Sequence, residues 1–168
     1  MNLIRRFIAA GALSVAAVAA TTSVSAQGVI TSHRLSAPLA SEAALASVEH
    51  CKRMGYNVTA VLIDADGVRQ ATLRGDGSSP ISLDTAYAKA STALYYRTDT
   101  IELVPRMQNL GAASIQAKVP NLVIAQGGVV IKMGDEVIGA IGISGGPGQD
   151  YDTQCARAGI DKVRDRMK

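Results

Sequence analysis

The sequence predicts an α+β fold, with helices packed on an antiparallel sheet. Three observations predict it. Asp66-Gly67 and Gly134-Asp135 each divide two short runs rich in β-branched residues, the pattern of hairpins. Segments with helical spacing of apolar residues lie before, between and after those runs. The stretch from Val119 to Gly159 carries glycines at strand ends and turns rather than in a phosphate-binding loop, so a parallel nucleotide-binding sheet is not indicated.

The first 26 residues are read apart from the fold. Arg5 and Arg6 precede an apolar, alanine-rich run from Phe7 to Ala20, and Val24-Ser25-Ala26 offers a small-residue cleavage site. This is the layout of an export signal, with Gln27 opening the mature chain and a periplasmic or secreted destination. The run is short for a membrane span, so no stable membrane insertion is expected after cleavage. Residues 27–168 then form one domain of ordinary size.

The elements follow in order. Pro38 and Ser41 mark a helix start, Leu39, Ala43, Ala46, Val48 and Cys51 are helically spaced, and Gly55 stops the helix. Asn57 to Ala65 is a strand, Asp66-Gly67 turns, and Val68 to Leu73 returns. A loop from Arg74 to Pro80 leads to a helix from Ser82 to Arg97, whose Ala86, Ala90, Ala93 and Leu94 make a small-residue face. A shorter helix runs from Thr98 to Gln108, and Gly111 to Val119 is ambiguous. Leu122 to Ala125, Val129 to Met133 and Glu136 to Ile143 are strands, and Asp150 to Met167 is a closing helix with acids at its start and bases at its end.

Composition excludes some function classes. Removing the export signal takes Arg5 and Arg6 and leaves 15 basic against 14 acidic side chains, a net charge of +1. That charge does not support nucleic-acid binding. The sequence has no Trp, five Tyr, and a single Phe, Phe7, inside the signal. No HExxH, CxxC or carboxylate dyad is present, and Ser144 in GISGG lacks the strand-turn-helix context of a nucleophile elbow. Cys51 and Cys155 are too far apart for a compact zinc site. They either form a disulfide, which export permits, or sit as two small buried side chains.

Three stretches are recognisable: VLIDADGVRQATLRGDG (Val61 to Gly77), AYAKASTALYYRTDT (Ala86 to Thr100) and the glycine-rich run from Val119 to Gly159. The chain resembles the GlcG/HbpS haem-binding family, whose domain also occurs at the C-terminus of some PduO-type proteins. The likeness spans roughly Ala43 to Ile160. Asn121 after Pro120 and the Met133-Gly134-Asp135 turn depart mildly from the family pattern. The resemblance implies a profilin-like domain, with a five-stranded antiparallel sheet and the N- and C-terminal helices packed on it. It also implies homo-oligomers, often octamers, and haem as a ligand. An exported branch is linked to haem sensing and slow haem degradation. Other members lie beside glycolate or propanediol genes.

Haem needs an apolar slot, an axial donor to iron and cations for its propionates. The histidines are His33, in the polar lead-in, and His50, late on the first helix. His50 is the candidate iron ligand; the bland alternative is a solvated residue favoured near a helix C-terminus. Arg74, Asp76, Lys89, Arg97 and Thr98 form a second constellation, whose cations suit carboxylates, whether propionates or a small organic acid. Lys89 stands out, because a lysine is a poor choice for a close-packed alanine face. The bland alternative is ordinary helix and loop charge. Gly127 and Gly128 could present backbone N–H groups to an anion, or serve only as turn geometry. The sequence thus points to an exported haem-binding protein acting in sequestration, transport or sensing, with no catalytic side chain assigned. The alternatives are a binding or accessory protein for a small organic acid, using Arg74, Lys89 and the Gly127-Gly128 backbone, and a ligand-free structural or signalling partner.

Overall fold

The computed structural model describes residues 28, 30–108, 119–148 and 150–167. The expected export signal, the ambiguous segment from 111 to 118 and Gln149 lie outside the described residues. Helix α1 spans Ala37–Arg53, followed by strands β1 (Thr59–Asp64) and β2 (Arg69–Arg74). Helices α2 (Ser82–Tyr96) and α3 (Thr100–Gln108) come next, then strands β3 (Gly128–Met133) and β4 (Glu136–Ser144). Helix α4 (Tyr151–Val163) runs into a short 3₁₀ turn at Arg164–Arg166.

The β1–β2 turn shows why its sequence forms a hairpin. The Asp64 carboxylate accepts the backbone N–H groups of Asp66 and Val68 at 2.9 and 3.0 Å. A short acceptor at the strand end therefore fixes the turn that Asp66-Gly67 makes sterically possible. The four strands are antiparallel in the order β2-β1-β4-β3. β1 and β4 occupy the middle, and β1 is buried along its whole length.

Because strand side chains alternate, β1 feeds two cores. Ala60 and Leu62 face α1 and α4 together with Ile141 and Ile143, whereas Val61 and Ile63 face α2 together with Ala140. The α2 face is built from Ala86, Ala90 and Ala93, so the helix lies close to the sheet. At Gly142 the approach is closest: a Cβ there would strike the Ala86 carbonyl oxygen. On the other face α1 and α4 are joined by a disulfide between Cys51 and Cys155, which decides between the two sequence readings of those cysteines.

The expectation of five strands is corrected to four among the described residues. Leu122 to Ala125 is irregular rather than a strand. The Thr92 hydroxyl of α2 accepts the Val123 N–H at 2.9 Å and lies 3.0 Å from the Val123 carbonyl. Ala125 N–H bonds back to Val123 at 3.0 Å. These backbone groups are met by a helix side chain and a tight local turn, so the apolar run has no ladder to join. Both outer strands keep the residues the sequence assigns them, within one position at each end for β2 and β3.

Candidate functional site

Helix α2 ends where Arg97 takes a left-handed conformation, with φ 54° and ψ 32°. The N–H groups of Arg97 and Thr98 return to the carbonyls of Leu94 and Ala93, closing the last turn. The next two residues tie α3 to the edge strand β3. Asp99 Oδ1 accepts the Val130 N–H at 3.0 Å, and the Thr100 hydroxyl accepts the Gly128 N–H at 2.9 Å. The start of α3 is thereby fixed beside β3, and a cleft of about 460 Å³ opens between them and α4.

The cleft combines an apolar floor with a charged rim. Val129, Val130, Ile160 and Met167 supply the apolar surface, and Lys132, Arg157 and Arg164 supply positive charge. Thr98, Asp99 and Glu102 complete the wall. Arg157, Ile160 and Arg164 share one face of α4 because they are spaced three and four apart. Arg157 Nη2 donates to Asp99 Oδ2 at 3.0 Å, and Arg164 pairs with Asp161. Lys132 makes no ion pair among the described residues.

Lys89 lies in a second, smaller place. Its ammonium donates to Asp152 Oδ2 at 2.6 Å, with the two side chains only 8% and 4% exposed. Asp152 Oδ1 accepts the Gly146 N–H at 3.0 Å. Gly127 borders the pair: a Cβ there would sit 2.7 Å from Asp152 Cβ and 3.1 Å from Lys89 Nζ. Gly128 lies against the Lys89 carbonyl so tightly that no side chain fits. The structure thus brings Lys89, Gly127 and Gly128 together, as the sequence suggested. The Gly128 and Gly146 N–H groups, however, are already taken by Thr100 and Asp152, so they offer no open anion nest. A cavity of about 230 Å³ adjoins the Lys89–Asp152 pair.

The other candidates lie apart. Arg74 donates to the Ser78 carbonyl at 3.0 Å and closes its own loop. His50 faces a polar cavity of about 580 Å³ between α1 and α4, beside Glu49, Arg53, Asp161 and Lys162. That cavity shares no residue with the Thr98 cleft or the Lys89 cavity. Around α4, Arg157, Ile160 and Arg164 line one cavity and Ala158, Asp161 and Lys162 the other, with Asp161 at the boundary, where it pairs with Arg164. His33 pairs with Glu136 at 2.7 Å, and this hydrogen bond lowers the Glu136 pKa.

Sequence reasoning missed Asp99, Lys132, Arg157 and Arg164. Their signal was weak but present: Arg157 and Arg164 sit seven apart, so they fall on one side of the closing helix. It also took Asp152 only as a favourable helix-start charge, not as the partner of Lys89.

The family described as "Haem degrading protein HbpS-like" matches residues 35–161. Protein GlcG of Escherichia coli K12 is 32% identical over 110 residues, covering 66% of this chain and 81% of that protein. The crystal structure of HbpS superposes with a TM-score of 0.76 and 31% identity, covering 84% of this chain and 99% of the other. A crystal structure of a PduOC:heme complex gives a TM-score of 0.69 and 27% identity, covering 77% and 94% of the two chains. The matched span takes in every element from α1 to α4 except the last two residues of α4, and on this basis the chain belongs to the HbpS-like family.

Proposed function

We propose that this protein is an exported haem-binding protein, serving sequestration, transport or sensing, and that the cleft between α3, β3 and α4 holds the haem. One observation carries the reading: in a member of this family, an apolar floor of Val129, Val130 and Ile160 is ringed by Lys132, Arg157 and Arg164. The residues fit the group. A macrocycle needs an apolar wall, and propionates need cations at its edge. The cleft volume of about 460 Å³ lies within the range of small-molecule sites. The Thr98 hydroxyl and the Met167 thioether are the uncharged donors that line it, and thioethers serve as axial ligands to haem iron. Bound haem would supply iron redox chemistry. The chain's own residues would orient it, neutralise its propionates and exclude water from one face.

Export is supported by the N-terminal pattern and by the Cys51–Cys155 disulfide, which suits an oxidising compartment.

Haemin titration of residues 27–168, followed at the Soret band, tests the reading. A saturable change is expected, and Lys132→Glu combined with Arg157→Glu should weaken it by about tenfold or more, as lost charge-assisted contacts do. His50→Ala should leave the titration unchanged, because His50 faces a different cavity. Loss of the spectral change on His50→Ala would move the iron to the α1–α4 face. No saturable change with the unmodified chain would remove haem as the ligand.

A further inference from the structure

The small cavity beside Lys89 holds hydrogen-bonding capacity that the chain itself does not use. An ammonium has three N–H donors. Lys89 spends one on Asp152, and no other partner for it occurs among the described residues. Across the same cavity, Gln126 Oε1 is buried without a hydrogen-bond partner among the described residues. A buried, unpaired amide oxygen is costly, on the order of 1–3 kcal/mol. Two donors and one acceptor therefore face a space of about 230 Å³. That is roughly eight times the volume a water molecule occupies in the liquid, about 30 Å³.

The charge balance narrows what fits. Asp152 is 3% exposed and already neutralises Lys89, so the pair is close to neutral as a unit. An added carboxylate would bring a second negative charge against a buried aspartate with no further cation in the lining. A neutral molecule avoids that cost. A hydroxyl both donates and accepts, so it satisfies either end of the Gln126 amide, while a neighbouring carbonyl or second hydroxyl accepts from Lys89.

We propose that the cavity lined by Lys89, Ala125, Gln126, Gly148 and Asp152 binds a small uncharged hydroxycarbonyl or diol. It does so between the Lys89 ammonium and the Gln126 side chain. This differs from the organic-acid site that the sequence suggested for Lys89, because the partner carboxylate of Asp152 disfavours acids. It is independent of the haem cleft, which shares none of these residues.

The test is a ¹H–¹⁵N NMR titration of the mature chain with hydroxyacetone and, separately, with glycolate, which has the same number of non-hydrogen atoms and a negative charge. Hydroxyacetone is expected to give saturable shifts centred on Ala125, Gln126 and Gly148. Gln126→Leu, which keeps the bulk and removes the amide, should weaken it by about tenfold or more, the value of one buried hydrogen bond. Glycolate binding as tightly as hydroxyacetone would overturn the neutral-ligand assignment. Absence of saturable shifts with hydroxyacetone, or shifts unaffected by Gln126→Leu, would overturn the site. Haemin binding measured on the Gln126→Leu variant should be unchanged, which separates failure here from failure of the haem reading.

Discussion

The residue that links sequence to site most directly is Lys89. A lysine among Ala86, Ala90 and Ala93 was legible as an anomaly, and the structure explains it as one half of a buried pair with Asp152. Its partner was not legible, because 63 residues separate the two and a helix-start aspartate has an ordinary explanation. Arg97 changed its meaning more. The sequence offered it as a cation for a ligand, whereas its backbone closes α2 in a left-handed turn usually given to glycine. At the opposite end of the ligand question stands the His33–Glu136 pair. Its hydrogen bond lowers the Glu136 pKa below 4.5, with the His33 charge and the Arg97 charge adding smaller effects in the same direction. A depressed carboxylate contributes stability above its unfolded pKa, and that contribution is lost as pH falls through the folded value. The hold of His33 on the β3–β4 turn should therefore weaken as pH falls through the lowered Glu136 value. A carboxyl-carbon NMR titration checks this: the Glu136 midpoint should rise toward 4.5 in His33→Ala.

At the scale of elements, hairpins were readable because their turns are chemically specific. Asp66-Gly67 needed no tertiary information, since Asp64 caps the turn from within it. Leu122 to Ala125 was misread because apolar, β-branched composition describes burial as well as pairing. What decided its conformation was Thr92, a residue 31 positions away on α2. Thr92→Val is a direct test, because it keeps the shape and removes the hydroxyl. It should leave the Val123 N–H unpaired, while the Val123 carbonyl keeps the Ala125 N–H, and cost about 1–3 kcal/mol. Denaturant unfolding would measure the loss, and amide exchange should rise from Val123 to Gln126 first. Since Gln126 lines the Lys89 cavity, the same substitution should loosen that cavity without touching the cleft at Thr98. Unchanged exchange at Val123 would mean that packing alone holds the segment.

For the whole molecule, the disulfide and the two-faced sheet set the architecture. Cys51 and Cys155 are 104 residues apart and join the first and last helices over one face of the sheet. Closing a loop of that length restricts the unfolded chain, with a gain of about 4–5 kcal/mol in the entropic account. Cys51→Ser with Cys155→Ser should lower thermal stability by up to that amount, and the intact protein should lose the same increment under a strong reductant. Equal melting curves in both conditions would show that the α1–α4 packing needs no cross-link. By itself the sequence determined the α+β class, the two hairpins and the helix positions, because turn chemistry and apolar periodicity act over a few residues. It also singled out Lys89 and the Gly127-Gly128 pair by the misfit of charge and of bare backbone with their surroundings. Tertiary structure alone decided that the sheet has four strands among the described residues, that Lys89 meets Asp152, that His50 stands apart, and that Arg157 and Lys132 share a cleft with Thr98. Those outcomes rest on contacts between distant segments, and no local pattern carries the information that selects them.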